Sequence, residues 1–102
     1  MIQWKIRLTP EASKALTKLH PDSKRLIKKA IKQICNSPYS GTDLQGELSG
    51  FNSFKPKRHR IIYKLAEEKQ RIEIYYIGHR RDIYEQFKQL LNHFSSQEPL
   101  ES

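Results

Sequence analysis

The chain holds a single cysteine, Cys35, so no disulfide can form within it and a reducing compartment suffices. No apolar run approaches the roughly 20 residues that span a bilayer. The start, Met1-Ile2-Gln3-Trp4-Lys5, lacks the apolar stretch after a basic opening that marks a signal peptide. The expected setting is therefore the cytoplasm, with no membrane partner. Glycine is scarce, and the four present form neither of the standard phosphate-cradling loops. His20, His59, His79 and His93 show no ligand spacing, and a lone cysteine cannot build a thiolate site, so no metal and no cofactor is expected. No serine lies in a recognisable nucleophile elbow. Acidic residues are also few: 11 against 19 lysines and arginines, a net charge of +8. A domain this basic usually meets a polyanion.

At 102 residues the chain fits one domain with a single modest core. Ile2, Trp4, Ile6 and Leu8 alternate with Gln3, Lys5 and Arg7, the period of a first strand with one buried face. Thr9-Pro10-Glu11 reads as a helix start, with an apolar stripe at Ala12, Ala15, Leu16 and Leu19. His20-Pro21-Asp22-Ser23 breaks that helix and caps another, in which Leu26, Ile27, Ala30, Ile31 and Ile34 recur at helical spacing. Lys24, Lys28, Lys29 and Lys32 occupy much of its remaining surface and read as a solvated face. Cys35 adjoins the stripe and reads as a structural thiol. From Asn36 to Gly50 the composition is that of a long loop, pinned by Leu44 and Leu48.

Three strands are expected next, about Phe51–Lys57, Arg58–Leu65 and Arg71–Ile77, with Gly78 ending the last. Asp82 reads as the cap of a final helix, with Ile83, Phe87, Leu90, Leu91 and Phe94 on its apolar face. The order βααβββα predicts an α+β fold. Its parts are a small, mostly antiparallel sheet of about four strands, a helical hairpin on one face and a C-terminal helix. Residues 1–94 form the single domain, and the polar stretch 95–102 is expected to be disordered.

The chemistry concentrates in two basic clusters, Lys55-Pro56-Lys57-Arg58-His59-Arg60 and His79-Arg80-Arg81. By strand alternation Lys55 and Lys57 share a face, as do Arg58 and Arg60, while Phe54, Ile61 and Tyr63 turn toward the helices. Arg80 and Tyr84 follow the last strand and close the patch. Arginines can grip nonbridging phosphate oxygens and stabilise the extra charge of a pentacoordinate transition state. A patch of this kind can also simply hold a phosphate backbone, which needs only charge.

The order of elements, with Leu48-Ser49-Gly50-Phe51, Phe54-Lys55, Arg60-Ile61-Ile62-Tyr63, Ile77-Gly78-His79-Arg80 and Tyr84, resembles the RelE/ParE toxin superfamily on its RelE side. The likeness runs from the first strand to the last helix. It implies a toxin that cleaves messenger RNA at the ribosomal A site, inhibited by an acidic antitoxin encoded beside it. Lys55 and Lys57 match the family's strand lysines and Arg60 the arginine before the Ile-Ile-Tyr run. Arg80 matches the arginine after the glycine turn, and Tyr84 the tyrosine that opens the last helix. His79 stands where a lysine can occur, and the turn Lys57-Arg58-His59 is short. The general base is thus either a lysine or His79. Arg58, Arg81 and Lys64 are expected to contact RNA.

The resulting expectation is a metal-independent endoribonuclease, or mRNA interferase, working by 2′-OH attack. Two other readings compete: a ParE-like inhibitor of DNA gyrase, and a non-catalytic nucleic-acid-binding module.

Overall fold

The computed structural model describes residues 4–79 and 83–97. Among these residues lie five strands and three α-helices. Strand β1 (Lys5–Leu8) leads to α1 (Pro10–Lys18) and α2 (Pro21–Asn36). After β2 (Thr42–Asp43) and β3 (Asn52–Phe54) come the long hairpin strands β4 (His59–Ala66) and β5 (Arg71–His79), then α3 (Ile83–Gln97). The sheet order is β1-β5-β4-β3-β2. The β1–β5 pair is parallel and the other three pairs are antiparallel. This is the expected α+β fold.

Helix α1 starts where Thr9 accepts the Ala12 amide at 3.1 Å, with Pro10 in the first turn. Helix α2 starts where His20 Nδ1 accepts the Asp22 amide at 3.2 Å. Each cap satisfies an amide that the helix itself leaves without a partner.

The two helices form the layer on one face of the sheet. Ala12, Ile27, Ala30 and Ile34 pack there against Ile61, Tyr63, Ile72, Ile74 and Ile77. On the other face Ile83 and Phe87 of α3 pack against Ile62 and Leu48. Strand β4 is thus covered on both sides, and a strand so placed reads as an unbroken apolar run rather than an alternating one. Tyr63 is fully buried and its hydroxyl donates to the Pro38 carbonyl at 3.0 Å, fastening the loop after α2 to the sheet.

Several boundaries differ from the sequence reading, each for a local reason. Residues 2 and 3 of the expected first strand lie outside the described residues, and β1 begins at Lys5. Trp4 is half-buried, edge-on to Tyr39, and its carbonyl accepts from Cys35 Sγ at 3.3 Å. The fifth strand, β2, is too short to show alternation. It is held by pairing with β3 and by the Asn52 amide donating to the Asp43 carboxylate at 2.5 Å.

Strand β3 stops at Phe54 instead of Lys57, because Pro56 has no N–H for the ladder. Strand β5 runs on through Gly78 to His79, since β4 pairs with it that far. Helix α3 continues to Gln97, so the boundary drawn at 94 falls inside it; a helical hydrogen-bond ladder needs no apolar residue to propagate. Residues 98–102 lie outside the described residues.

Candidate functional site

The site is built at the end of the sheet where β4 begins and β5 finishes. Register sets its centre: His59 lies opposite His79, and Arg60 lies opposite Gly78. The chain between β3 and β4 closes with a tight turn in which the His59 amide donates to the Pro56 carbonyl at 3.0 Å. Lys57 occupies this turn with φ of 55°. That is left-handed backbone, which a β-carbon normally disfavours. The expected alternation of Lys55 and Lys57 on one strand face is therefore replaced by a turn that projects its own cations. Lys55, Lys57 and Arg58 are all exposed.

Arg60 is half-buried, and its position is fixed by its own backbone neighbourhood. One guanidinium nitrogen, Nη1, donates to the carbonyls of His59 at 2.9 Å and Lys57 at 3.3 Å. Of the five donors of a guanidinium this leaves the Nε/Nη2 edge, the geometry that meets a carboxylate or phosphate with two parallel bonds. From Phe51 to Ala66 the sequence contains no acidic residue. Among the described residues no ion pair engages Lys55, Lys57, Arg58 or Arg60.

Tyr84 enters from the first turn of α3. Its hydroxyl lies 2.9 Å from Ser53 Oγ, and Ser53 is 1% exposed at the centre of β3. Gly78 lets that helix approach. A β-carbon there would stand 3.3 Å from Ile83 Cδ1 and 3.5 Å from the Tyr76 ring. Parity puts Ser53, Arg60, Ile62, Gly78 and Tyr84 on the α3 side of the sheet.

The histidine pair belongs to the opposite side. His59 and His79 follow the parity of Ile61 and Ile77, which pack on the helical hairpin, and their rings meet edge-on at 6.0 Å between centroids. His59 Nδ1 is buried, and it has no hydrogen-bond partner among the described residues. Burial, and secondarily the neighbouring His79, push the His59 imidazole below its ordinary value. Sequence reasoning singled out neither Ser53 nor His59. For Ser53 the available signal was its parity with Lys55; for His59 it was only membership of the basic cluster.

Lys64 is not part of this group. It stands four residues along β4 from Arg60, roughly 13 Å at the rise of a strand, with its ammonium 5.5 Å above the Phe51 ring. Arg80 and Arg81 lie outside the described residues. No three His, Cys, Asp or Glu side chains among the described residues come together as a metal-ligand set. No helix of those residues is long and apolar enough to cross a membrane.

Residues 6–88 match the family model described as ParE-like toxin of type II bacterial toxin–antitoxin system. The chain belongs to this family. A chain of the RelBE2 toxin–antitoxin complex from Mycobacterium tuberculosis superposes with a TM-score of 0.71 at 26% identity, covering 78% of this toxin and 100% of that chain. A chain of the intact RelBE complex of E. coli gives 0.66 at 18% identity, covering 74% and 95%. YafQ of E. coli gives 0.62 at 18%, covering 80% and 99%. No curated protein matches this ParE-like toxin by sequence. The expected RelE/ParE superfamily and its α+β fold are thus both found.

Proposed function

We propose that this toxin is a metal-independent endoribonuclease of RelE type that cuts messenger RNA at the ribosomal A site. The observation that carries the reading is the acid-free turn between β3 and β4. It gathers Lys55, Lys57, Arg58 and Arg60 at the sheet end where Gly78, His79 and Tyr84 also arrive. A surface that only had to repel other proteins would not need a guanidinium braced by two carbonyls with a bidentate edge left over.

In the proposed reaction a ribose 2′-oxygen attacks the adjacent phosphorus, and its proton passes to a base. The bond from phosphorus to the 5′-oxygen breaks, and that oxygen leaves as a hydroxyl, its proton supplied by Tyr84 or returned from the protonated base through solvent. The products are a 2′,3′-cyclic phosphate and a 5′-OH. Lys55, Lys57 or His79 takes the 2′ proton, and the family pattern assigns Arg80 with Arg60 to the developing phosphorane charge. Tyr84, beside Ser53, orients a nucleobase against its ring or assists proton transfer. Arg58 and Arg81 contact the RNA backbone; Lys64, set apart along β4, contacts RNA beyond the scissile step. The partner that silences the toxin is an acidic antitoxin, drawn by the net charge of +8. The setting is the cytoplasm.

Induced expression followed by mapping of mRNA ends tests the class. Cuts inside translated codons are expected. Intact mRNA with double-strand DNA breaks would make the toxin gyrase-directed, and salt-dependent RNA binding without cleavage would make it a passive binder.

A further inference from the structure

Helix α2 carries a second basic surface, on a different element from the turn at Arg60. Its buried side is Ile27, Ala30 and Ile34. On a helical wheel Lys24, Lys28, Lys32, Arg25 and Lys29 fill a continuous arc away from that side, and the last four are exposed. One acid, Asp22, shares the helix and pairs with Arg25. Among the described residues the four lysines have no ion pair.

Two features argue that the arc is more than a solvated face. Lys24–Lys28, Lys28–Lys32 and Arg25–Lys29 are like charges four residues apart, a spacing that weakens a helix. Nor do these cations serve the helix dipole, because the last turn of α2 contains no basic residue. The arrangement opposes the helix's own stability and lacks an internal partner.

We propose that this arc docks the phosphate backbone of double-helical RNA. The inference rests on the nuclease reading only for the choice of RNA as polyanion. From Lys24 to Lys32 the row is roughly 12 Å long at 1.5 Å per residue, enough to face several charges of a duplex, which in its B-form carries one per about 1.7 Å of axis. A protein partner fits the arc poorly. Lysine is depleted in protein interfaces, which anchor on buried aromatic and arginine side chains. The large apolar residue exposed among the described residues is Tyr39, which is not on α2. A backbone contact needs only the charge.

The test compares wild type, the triple variant Lys28→Gln/Lys29→Gln/Lys32→Gln and the charge-keeping triple Lys28→Arg/Lys29→Arg/Lys32→Arg. The probes are a mixed-sequence 20-base-pair RNA duplex and polyglutamate, read by fluorescence anisotropy across a salt series. The glutamine variant should lose at least tenfold in duplex affinity, and its log–log salt slope should shrink by roughly 0.9 per lysine removed, the value for a B-form duplex. Its thermal melt should not fall, since repulsive pairs are removed, and the arginine variant should bind like wild type. Unchanged duplex affinity and slope in the glutamine variant would overturn the proposal. So would a loss of binding in the arginine variant, or wild-type preference for polyglutamate over the duplex. None of these readouts requires cleavage, so a toxin that never cuts RNA would sink the nuclease reading and leave this result standing.

Discussion

The hydroxyl of Tyr84 lies 2.9 Å from Ser53 Oγ, joining the first turn of α3 to a fully buried position on β3. A buried serine with one side-chain partner makes that partner's position specific. Losing either hydroxyl leaves the other unsatisfied, at about 1 kcal/mol. Ser53→Ala and Tyr84→Phe should each lower the unfolding free energy by that order, and the double variant should lose less than their sum. Strict additivity in denaturant melts would mean that the two hydroxyls do not interact in solution.

Lys57 is held at φ of 55°, where glycine has no penalty. Such strain persists only where the surrounding structure fixes the turn. Lys57→Gly should raise the melting midpoint or leave it unchanged, while RNA cleavage falls. A destabilised glycine variant would show that the lysine side chain supports the fold.

His59 gives the toxin an acid-sensitive element. Its imidazole is pushed below the ordinary value by burial first and by His79 second. Above the ordinary imidazole pKa, near 6.5, folded and unfolded chains are both neutral there and nothing is lost. As pH falls through that value the unfolded chain takes up a proton that the folded chain resists, so stability drops. Denaturant melts from pH 7.5 to 5 should show this fall, and His59→Gln should flatten it. An equally steep fall in His59→Gln would place the acid sensitivity elsewhere.

Gly41 is required for a steric reason. A β-carbon there would stand 2.3 Å from the Tyr63 hydroxyl and 3.0 Å from the Ser53 carbonyl. Gly41→Ala should cost about 1–3 kcal/mol, the usual range for overpacking. Gly41→Ala combined with Tyr63→Phe should recover part of the loss, which paired thermal melts would reveal.

The fold was legible where one physical signal ruled. Helical spacing found α1 and α2, and parity correctly turned Phe54, Ile61 and Tyr63 toward the hairpin. Parity failed at Lys55 and Lys57, where Pro56 ends the ladder. It is interrupted in β5 as well: the pairing jumps from Ile62↔Tyr76 to Tyr63↔Ile74, and the extra residue lets Tyr75 and Tyr76 both pack toward α3. The meeting of His59 with His79, twenty positions apart, is a matter of hairpin register that composition does not carry. The hydrogen bond from α3 to Ser53 likewise depends on helix placement, which no local pattern encodes.

The most direct test of the central claim is single-turnover cleavage of an mRNA-programmed ribosome by wild type and Arg60→Ala, with chemical analysis of the fragment ends. The account predicts a 2′,3′-cyclic phosphate and a 5′-OH. It also predicts a rate lowered by roughly 10²–10³ in the variant, with ribosome affinity changed far less because the other cations remain. Fragments ending in 3′-OH and 5′-phosphate would contradict it.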